Sequence, residues 1–141
     1  MNRVFIDTEF NGFNGDLLSM ALVPEDETKP IFYKEIEFKG QLDPWVRENV
    51  VPHFIELSIS YAGFQQQLAG YLYEIGECTI IADWPDDIRY FCQALITGPG
   101  NSIPIFHKIN FVLDTKIQYE SKVPHNALYD AIAIRESYKG K

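Results

Sequence analysis

The first apolar run of the chain, Val4 to Ile6, leads directly into Asp7 and Glu9 with one residue between them. In an extended strand side chains alternate faces, so Phe5, Asp7 and Glu9 point one way while Val4, Ile6 and Thr8 point the other. Two carboxylates on one face repel each other and raise each other's pKa unless something positive joins them. Acids also gather around other apolar segments. Asp83, Asp86 and Asp87 surround a strand-to-helix turn, and Asp130 lies in the last helical pattern, five positions after His125. Oxygen donors of this kind are what Mg²⁺ and Mn²⁺ take. Two such ions ~4 Å apart stabilise both the attacking and the leaving oxygen in phosphodiester hydrolysis. A neutral histidine beside them, with an ordinary pKa of ~6.5, can take the proton from the attacking water.

These groups need elements that converge. The pattern predicts strands over Val4 to Thr8, Leu17 to Val23 and Ile31 to Phe38, separated by the turn-rich NGFNGD and the charged PEDETKP. A short helix is expected from Asp43 to about Val50 with Pro44 in its first turn. A longer helix is expected over ISYAGFQQQLAGYLYEIG, where Phe64, Leu68, Tyr71 and Leu72 recur at helical spacing and Gly76 is the stop. The β-branched CTIIAD, Cys78 to Asp83, reads as a buried strand. PDDIRYFCQALI reads as a helix whose first-turn acids favour the positive end of the helix dipole. After the loop GPGNS, residues 103 to 115 provide one or two strands, and ALYDAIAIRESY is the last helix, with Asn126 as its N-cap. The expected fold is α/β, a mixed sheet flanked by helices in a single domain over 1–141.

Three ordered segments, DTE at 7–9, DIRYF at 87–91 and HNALYDA at 125–131, resemble the motifs of the DEDD, or DnaQ-like, 3′-to-5′ exonucleases. The step from His125 to Asp130 is similar to the histidine-type branch, DEDDh. Within it, the length and the DTEF start look like the small mycobacterial-type exoribonuclease and exonuclease VIII-like domains. The resemblance runs from residue 4 to about 138. It implies a ribonuclease H-like fold and two divalent cations, Mg²⁺ or Mn²⁺. It implies that Asp7 bridges both metals, that Glu9 ligates one and orients the nucleophilic water, that Asp87 and Asp130 complete the shell, and that His125 is the general base. The middle motif departs from the family pattern, with Asp83 and Asp86 standing where many relatives carry an asparagine and an aromatic. Asp87 is favoured as the middle ligand because Tyr90 and Phe91 follow it at the family's spacing.

Composition bounds the partner. The chain has 141 residues, 46% hydrophobic and 14% aromatic, with 12 basic and 20 acidic side chains for a net charge of −8. At this size a domain buries roughly two thirds of the surface its unfolded chain exposes. The negative balance argues against a broad electrostatic nucleic-acid binder. It is uneven, however: residues 101–141 hold 6 basic and 4 acidic side chains. Two bound divalent ions would neutralise four site carboxylates and bring the effective charge to about −4. The expected partner is therefore a short 3′ end of RNA or single-stranded nucleic acid, with Lys108, Lys116 and Lys122 as candidate phosphate contacts.

Phe10, followed by Phe13, is the candidate to stack on the terminal base, with core packing as the rival role for both, and the backbone of Asn11 and Gly12 is the candidate to approach the terminal nucleotide. His53 and His107 are expected to be structural or exposed, and Trp45 and Trp84 to pack, with bordering the site as the alternative for Trp84, which sits inside the middle motif. Cys78 and Cys92 form no C-x-x-C pair and read as reduced core thiols. No apolar run approaches the ~20 residues of a membrane helix, and the start MNRVFIDTEF lacks the features of a secretory signal. A soluble, intracellular protein acting in the cytoplasm is expected. By resemblance it pairs as a homodimer. The alternatives are a DNA-specific enzyme with the same chemistry and a module that binds nucleic acid or protein on this fold without turnover.

Overall fold

Val4, Phe5 and Ile6 have no solvent exposure at all, so the strand that carries them must be covered on both faces. In the computed structural model, which describes residues 2–139, that strand is β1 (Asn2–Phe10) and it lies at the centre of a five-stranded sheet. The chain continues through β2 (Leu17–Pro24), β3 (Phe32–Glu35), α1 (Pro44–Asn49) and α2 (Tyr61–Ile75). It then forms β4 (Cys78–Ala82), α3 (Pro85–Leu95), the short strands β5 (Ile96–Gly98) and β6 (Asn101–Ser102), β7 (Ile109–Leu113) and α4 (Ala127–Lys139).

The sheet order is β3-β2-β1-β4-β7. The first three strands form an antiparallel meander, whereas β4 joins β1, and β7 joins β4, in parallel. The expected α/β arrangement with a mixed sheet is therefore present. Helices cover both faces, as parallel strands require. On one side Phe64, Leu68, Leu72 and Ile75 of α2 and Phe91 and Ala94 of α3 pack on Val4, Ile6, Met20, Leu22 and Ile80. On the other, α4 sets Ala127 and Ala131 against Ala21 and Val23, and Ile134 against Phe5 and Ile81. The small side chains of α4 let it lie close to β1 and β2, which brings its first turn near Asp7.

Helix starts and stops obey local chemistry. The Asp43 carboxylate accepts from the amides of Trp45 and Val46 at the head of α1, and Ser60 Oγ accepts from the Gly63 amide at the head of α2. α2 stops at Gly76, whose φ of 80° suits glycine.

β3 is shorter than the expected Ile31 to Phe38. Its ladder with β2 ends as Glu35 turns into the interior, and Ile36 forms a bridge to Ile59. GPGNS is not a simple loop: Pro99 and Gly100 turn a small hairpin between β5 and β6, with Gly100 at φ 70°. Cys78 is buried and Cys92 half-buried, both as free thiols. No helix among the described residues is long and apolar enough to cross a membrane.

Candidate metal centre

Phe5 stands opposite Ile81 in the parallel β1–β4 pair, so continuing two residues along both chains carries Asp7 and Asp83 to the same end of the sheet. α3 starts just beyond β4 and holds Asp87 in its first turn, where the helix dipole favours an anion. From the other face α4 brings Asp130, also in its first turn. Asp7 consequently belongs to two carboxylate triads, one with Asp83 and Asp87 and one with Glu9 and Asp130. In each triad, one oxygen from every residue lies within 4.8 Å of the others. The structure thus gathers all four acids singled out by motif spacing and adds Asp83.

Such a cluster is electrostatically unfavourable on its own. Asp7, Asp87 and Asp130 are only 7%, 4% and 6% exposed. Burial, and then the charges of Asp87, Glu9, Asp130 and Asp83, hold the Asp7 carboxyl well above the usual range. Burial followed by Asp130 and Asp87 pushes Glu9 up to about 9. Burial raises Asp87 to about 8 even though the Thr8 hydroxyl, donating to Oδ1 at 2.6 Å, pulls the other way. Asp130 and Asp83 are raised by burial as well. Among the described residues no Lys or Arg forms an ion pair with any of these five acids.

Two buried oxygens, Asp7 Oδ2 and Asp130 Oδ1, have no hydrogen-bond donor. A buried acceptor without a partner costs about 1 to 3 kcal/mol, and more when charged. A hard divalent cation would satisfy both oxygens and reverse the repulsion, and an all-carboxylate donor set suits Mg²⁺ or Mn²⁺ better than zinc or copper. The residues present fit such ions.

His125 lies in the turn before α4 at φ 71°, exposed, with its ring edge-on to Trp45 at 5.0 Å between centroids. It lines a cleft with Asp130, Ser121 and Tyr119. The next residue anchors the turn. Asn126 is fully buried, caps α4 by accepting from the Tyr129 amide at 3.2 Å, and donates to the His53 carbonyl at 2.8 Å and the Tyr33 hydroxyl at 3.3 Å. Tyr33 in turn donates to the buried Glu35 carboxylate, which also accepts from the amides of Ile55 and Glu56. A polar chain therefore ties the His125 turn to β3 and the 53–56 segment.

Asp86 is not with the triads. It faces outward, accepting from Arg89 at 2.9 Å and from Trp84 Nε1 at 3.1 Å. Phe10 is half-buried and stacked on Tyr90, with centroids 4.7 Å apart. Asn11 clamps the head of α1 by accepting from the Asp43 amide and donating to the Gln41 carbonyl. Gly12, at φ 72°, sits so close that a Cβ there would come within 3.3 Å of Asp43 Oδ2. These three residues shape the loop that follows β1, and Phe13 at its tip is 91% exposed. Lys108, Lys116 and Lys122 are exposed. His53 is half-buried and contributes its carbonyl; His107 is half-buried beside Tyr73.

Trp45 departs from the packing role expected of it, and Trp84 takes the alternative, a place at the border of the site. Trp45 and Trp84 are 53% and 57% exposed, because each begins a helix at the rim of the cluster instead of facing the sheet. Two groups at the cluster lie outside the positions that motif spacing marks as ligands. Asp83 ends an apolar strand as Asp7 does, and that parallel was the signal available. Tyr119, in an irregular segment, gave none, although burial and the charges of Asp7, Asp130, Asp83 and Asp87 together raise its phenol. Compared with protein-family models and with curated proteins, the chain matches none.

Proposed function

We propose that this protein is a metal-dependent 3′-to-5′ exonuclease of the DEDDh type on a ribonuclease H-like fold, acting on RNA or single-stranded nucleic acid and releasing nucleoside 5′-monophosphates. The observation that carries the reading is the pair of carboxylate triads sharing Asp7, with unsatisfied buried oxygens on Asp7 and Asp130. The order β3-β2-β1-β4-β7, antiparallel then parallel, with α4 delivering the last acid, supports the fold assignment.

In this reading Asp7 is the ligand common to two cation positions, Asp83 and Asp87 complete one, and Glu9 and Asp130 the other. Two divalent cations, Mg²⁺ or Mn²⁺, would supply Lewis-acid stabilisation of the attacking and leaving oxygens. Glu9, the least buried member of its triad, is free to accept a hydrogen bond from the attacking water and orient it. His125, exposed at the cleft and held by the Asn126 anchor, takes that water's proton. Attack on the last phosphodiester then leaves the phosphate on the released nucleotide. The net negative charge suits engagement of a short 3′ end, since few phosphate contacts are available for a long tract.

A time course on 5′-labelled single-stranded RNA and matched DNA, with Mn²⁺, Mg²⁺ or EDTA, tests the reading. A ladder shortening from the 3′ end only when metal is present is expected, and the ratio of RNA to DNA rates identifies the sugar. Intact oligonucleotides in every metal condition, with the protein shown to be folded, would contradict turnover and favour a binding module.

A further inference from the structure

Tryptophan is on average one of the more deeply buried side chains, yet Trp84 keeps 57% of its surface in solvent. It stands between Asp83 and Asp87, which share one carboxylate triad with Asp7. Its placement is nevertheless fixed. The backbone is extended, at φ −141° and ψ 141°, as the following Pro85 favours. The indole Nε1 donates to Asp86 Oδ2 at 3.1 Å. Asp86 Oδ1 accepts from Arg89 Nη2 at 2.9 Å, and the Arg89 guanidinium lies 4.4 Å from the centre of the Tyr90 ring. Tyr90 donates in turn to the Gly15 carbonyl in the loop after β1. One edge of the indole is thus anchored, and Arg89 offsets the Asp86 charge beside it.

Other aromatic side chains near the acids are engaged elsewhere. Phe10 is stacked on Tyr90 and packs on the core, Trp45 meets the His125 ring edge-on, and Tyr119 packs with Phe5 and Ile81. Among the described residues no other ring packs against Trp84. An anchored indole with open faces is what a nucleobase stacks on. Every base has a π-face, so such a contact tolerates any sequence, and a rigid partner lowers the cost of ordering.

The other triad indicates which nucleotide Trp84 serves. Asn11, beside the candidate position of the terminal nucleotide, accepts from the Asp43 amide; Asp43 caps α1, and Trp45 of α1 touches His125. His125 shares its cleft with Asp130. The terminal nucleotide therefore belongs on the Glu9–Asp130 side. Trp84 adjoins the Asp83–Asp87 side, across the shared Asp7.

We propose that Trp84 is the stacking platform for the penultimate base, the first beyond the scissile phosphate, and that it selects unpaired strands. The inference rests on the nuclease reading. A base inside a duplex must leave its own stack to reach Trp84, whereas a single-stranded base pays little.

Steady-state hydrolysis in Mn²⁺ of a 5′-labelled single-stranded oligonucleotide, intact or with its penultimate base replaced by an abasic residue, tests the proposal in a cycle with Trp84→Ala. Circular dichroism confirms folding of each variant. For the native protein the abasic residue should raise KM about 5 to 100-fold. Trp84→Ala should raise KM for the intact strand by a similar factor, with a much smaller change in kcat, and should show no further abasic penalty. Trp84→Phe, which keeps a π-face without the Nε1 bond, should recover part of the loss. The native preference for a single strand over a blunt duplex should shrink in Trp84→Ala. A tryptophan with a merely structural role would leave the abasic penalty intact, so a penalty as large in Trp84→Ala as in the native protein would overturn the proposal. Native hydrolysis equally fast on both strands would overturn it too, while leaving the nuclease reading in place. A native protein with no metal-dependent hydrolysis of the intact strand would contradict that reading, and the proposal with it.

Discussion

The Thr8 hydroxyl donates to Asp87 Oδ1 at 2.6 Å, joining β1 to the first turn of α3 across 79 positions of sequence. One strand thus supplies a carboxylate to the cluster from Asp7 and, from its neighbour on the opposite face, the donor that orients a second carboxylate. Partners that orient metal ligands typically change affinity by about 10 to 100-fold when removed. Thr8→Val, which keeps the shape and loses the donor, should weaken Mn²⁺ binding by that order in a calorimetric titration, and Thr8→Ser should stay near native. Native affinity in Thr8→Val would show that the bond does not position the ligand.

Asp86 and Asp87 are adjacent in sequence and opposite in environment. Asp87 is buried against Thr8 and the triad, whereas Asp86 forms a partly exposed ion pair with Arg89. Asp87→Asn should abolish metal-dependent turnover and weaken Mn²⁺ binding strongly. Asp86→Asn should leave both near native and change stability little, as loss of an exposed ion pair does. The same titration, run beside thermal unfolding, separates the two.

The metal-free protein should lose stability as pH rises. Glu9 and Asp87 are pushed up to about 9 and about 8, with burial as the leading cause, whereas unfolded carboxyls titrate near 4. Between those values the folded state holds more protons than the unfolded one, so the contribution of these groups to stability falls with increasing pH. It is fully present below about pH 4 and is lost progressively until about pH 9. Melting temperatures in EDTA should decline through this window. The gain on adding Mn²⁺ should grow with pH. Asp7→Asn, which removes the charge shared by both triads, should flatten the metal-free decline; a decline as steep as the native one would contradict the electrostatic account.

How much of this was legible depends on the range of the interaction. The alternation that puts Asp7 and Glu9 on one face is local, and so is the spacing of Phe64, Leu68 and Leu72 that buries α2. The Asn126 cap and the first-turn position of Asp87 are also written in neighbouring residues. Asp83 joins the cluster only because β4 pairs with β1 in one particular register, and single-sequence reading does not supply a register. Glu35 is buried at 1% exposure by accepting bonds from residues some twenty positions away, so its inward turn, and the early end of β3, had no local signal. Trp45 shows the converse: aromatic character points to packing, but its place at a helix start leaves it on the rim, whereas the place of Trp84 inside the middle motif is itself a local signal for the rim.

His125 is predicted to act on the proton and not on the metals. Its exposed ring leans on Trp45, and its turn is secured by Asn126. His125→Ala should therefore bind Mn²⁺ nearly as the native protein does while hydrolysis slows by about 10² to 10⁴-fold, the usual contribution of a general base. Single-turnover rates at saturating metal read this directly. A rate within a few-fold of native would remove His125 from the chemistry.

The most direct test of the central claim is the stoichiometry of Mn²⁺ bound by the native protein and by Asp7→Asn, measured by calorimetry alongside hydrolysis of a 5′-labelled oligonucleotide. The shared position of Asp7 predicts two ions per native chain, and loss of both tight metal binding and turnover in the variant. Native-like metal binding with native-like turnover in Asp7→Asn would contradict the account, because no two-ion centre on these triads survives without the carboxylate common to both.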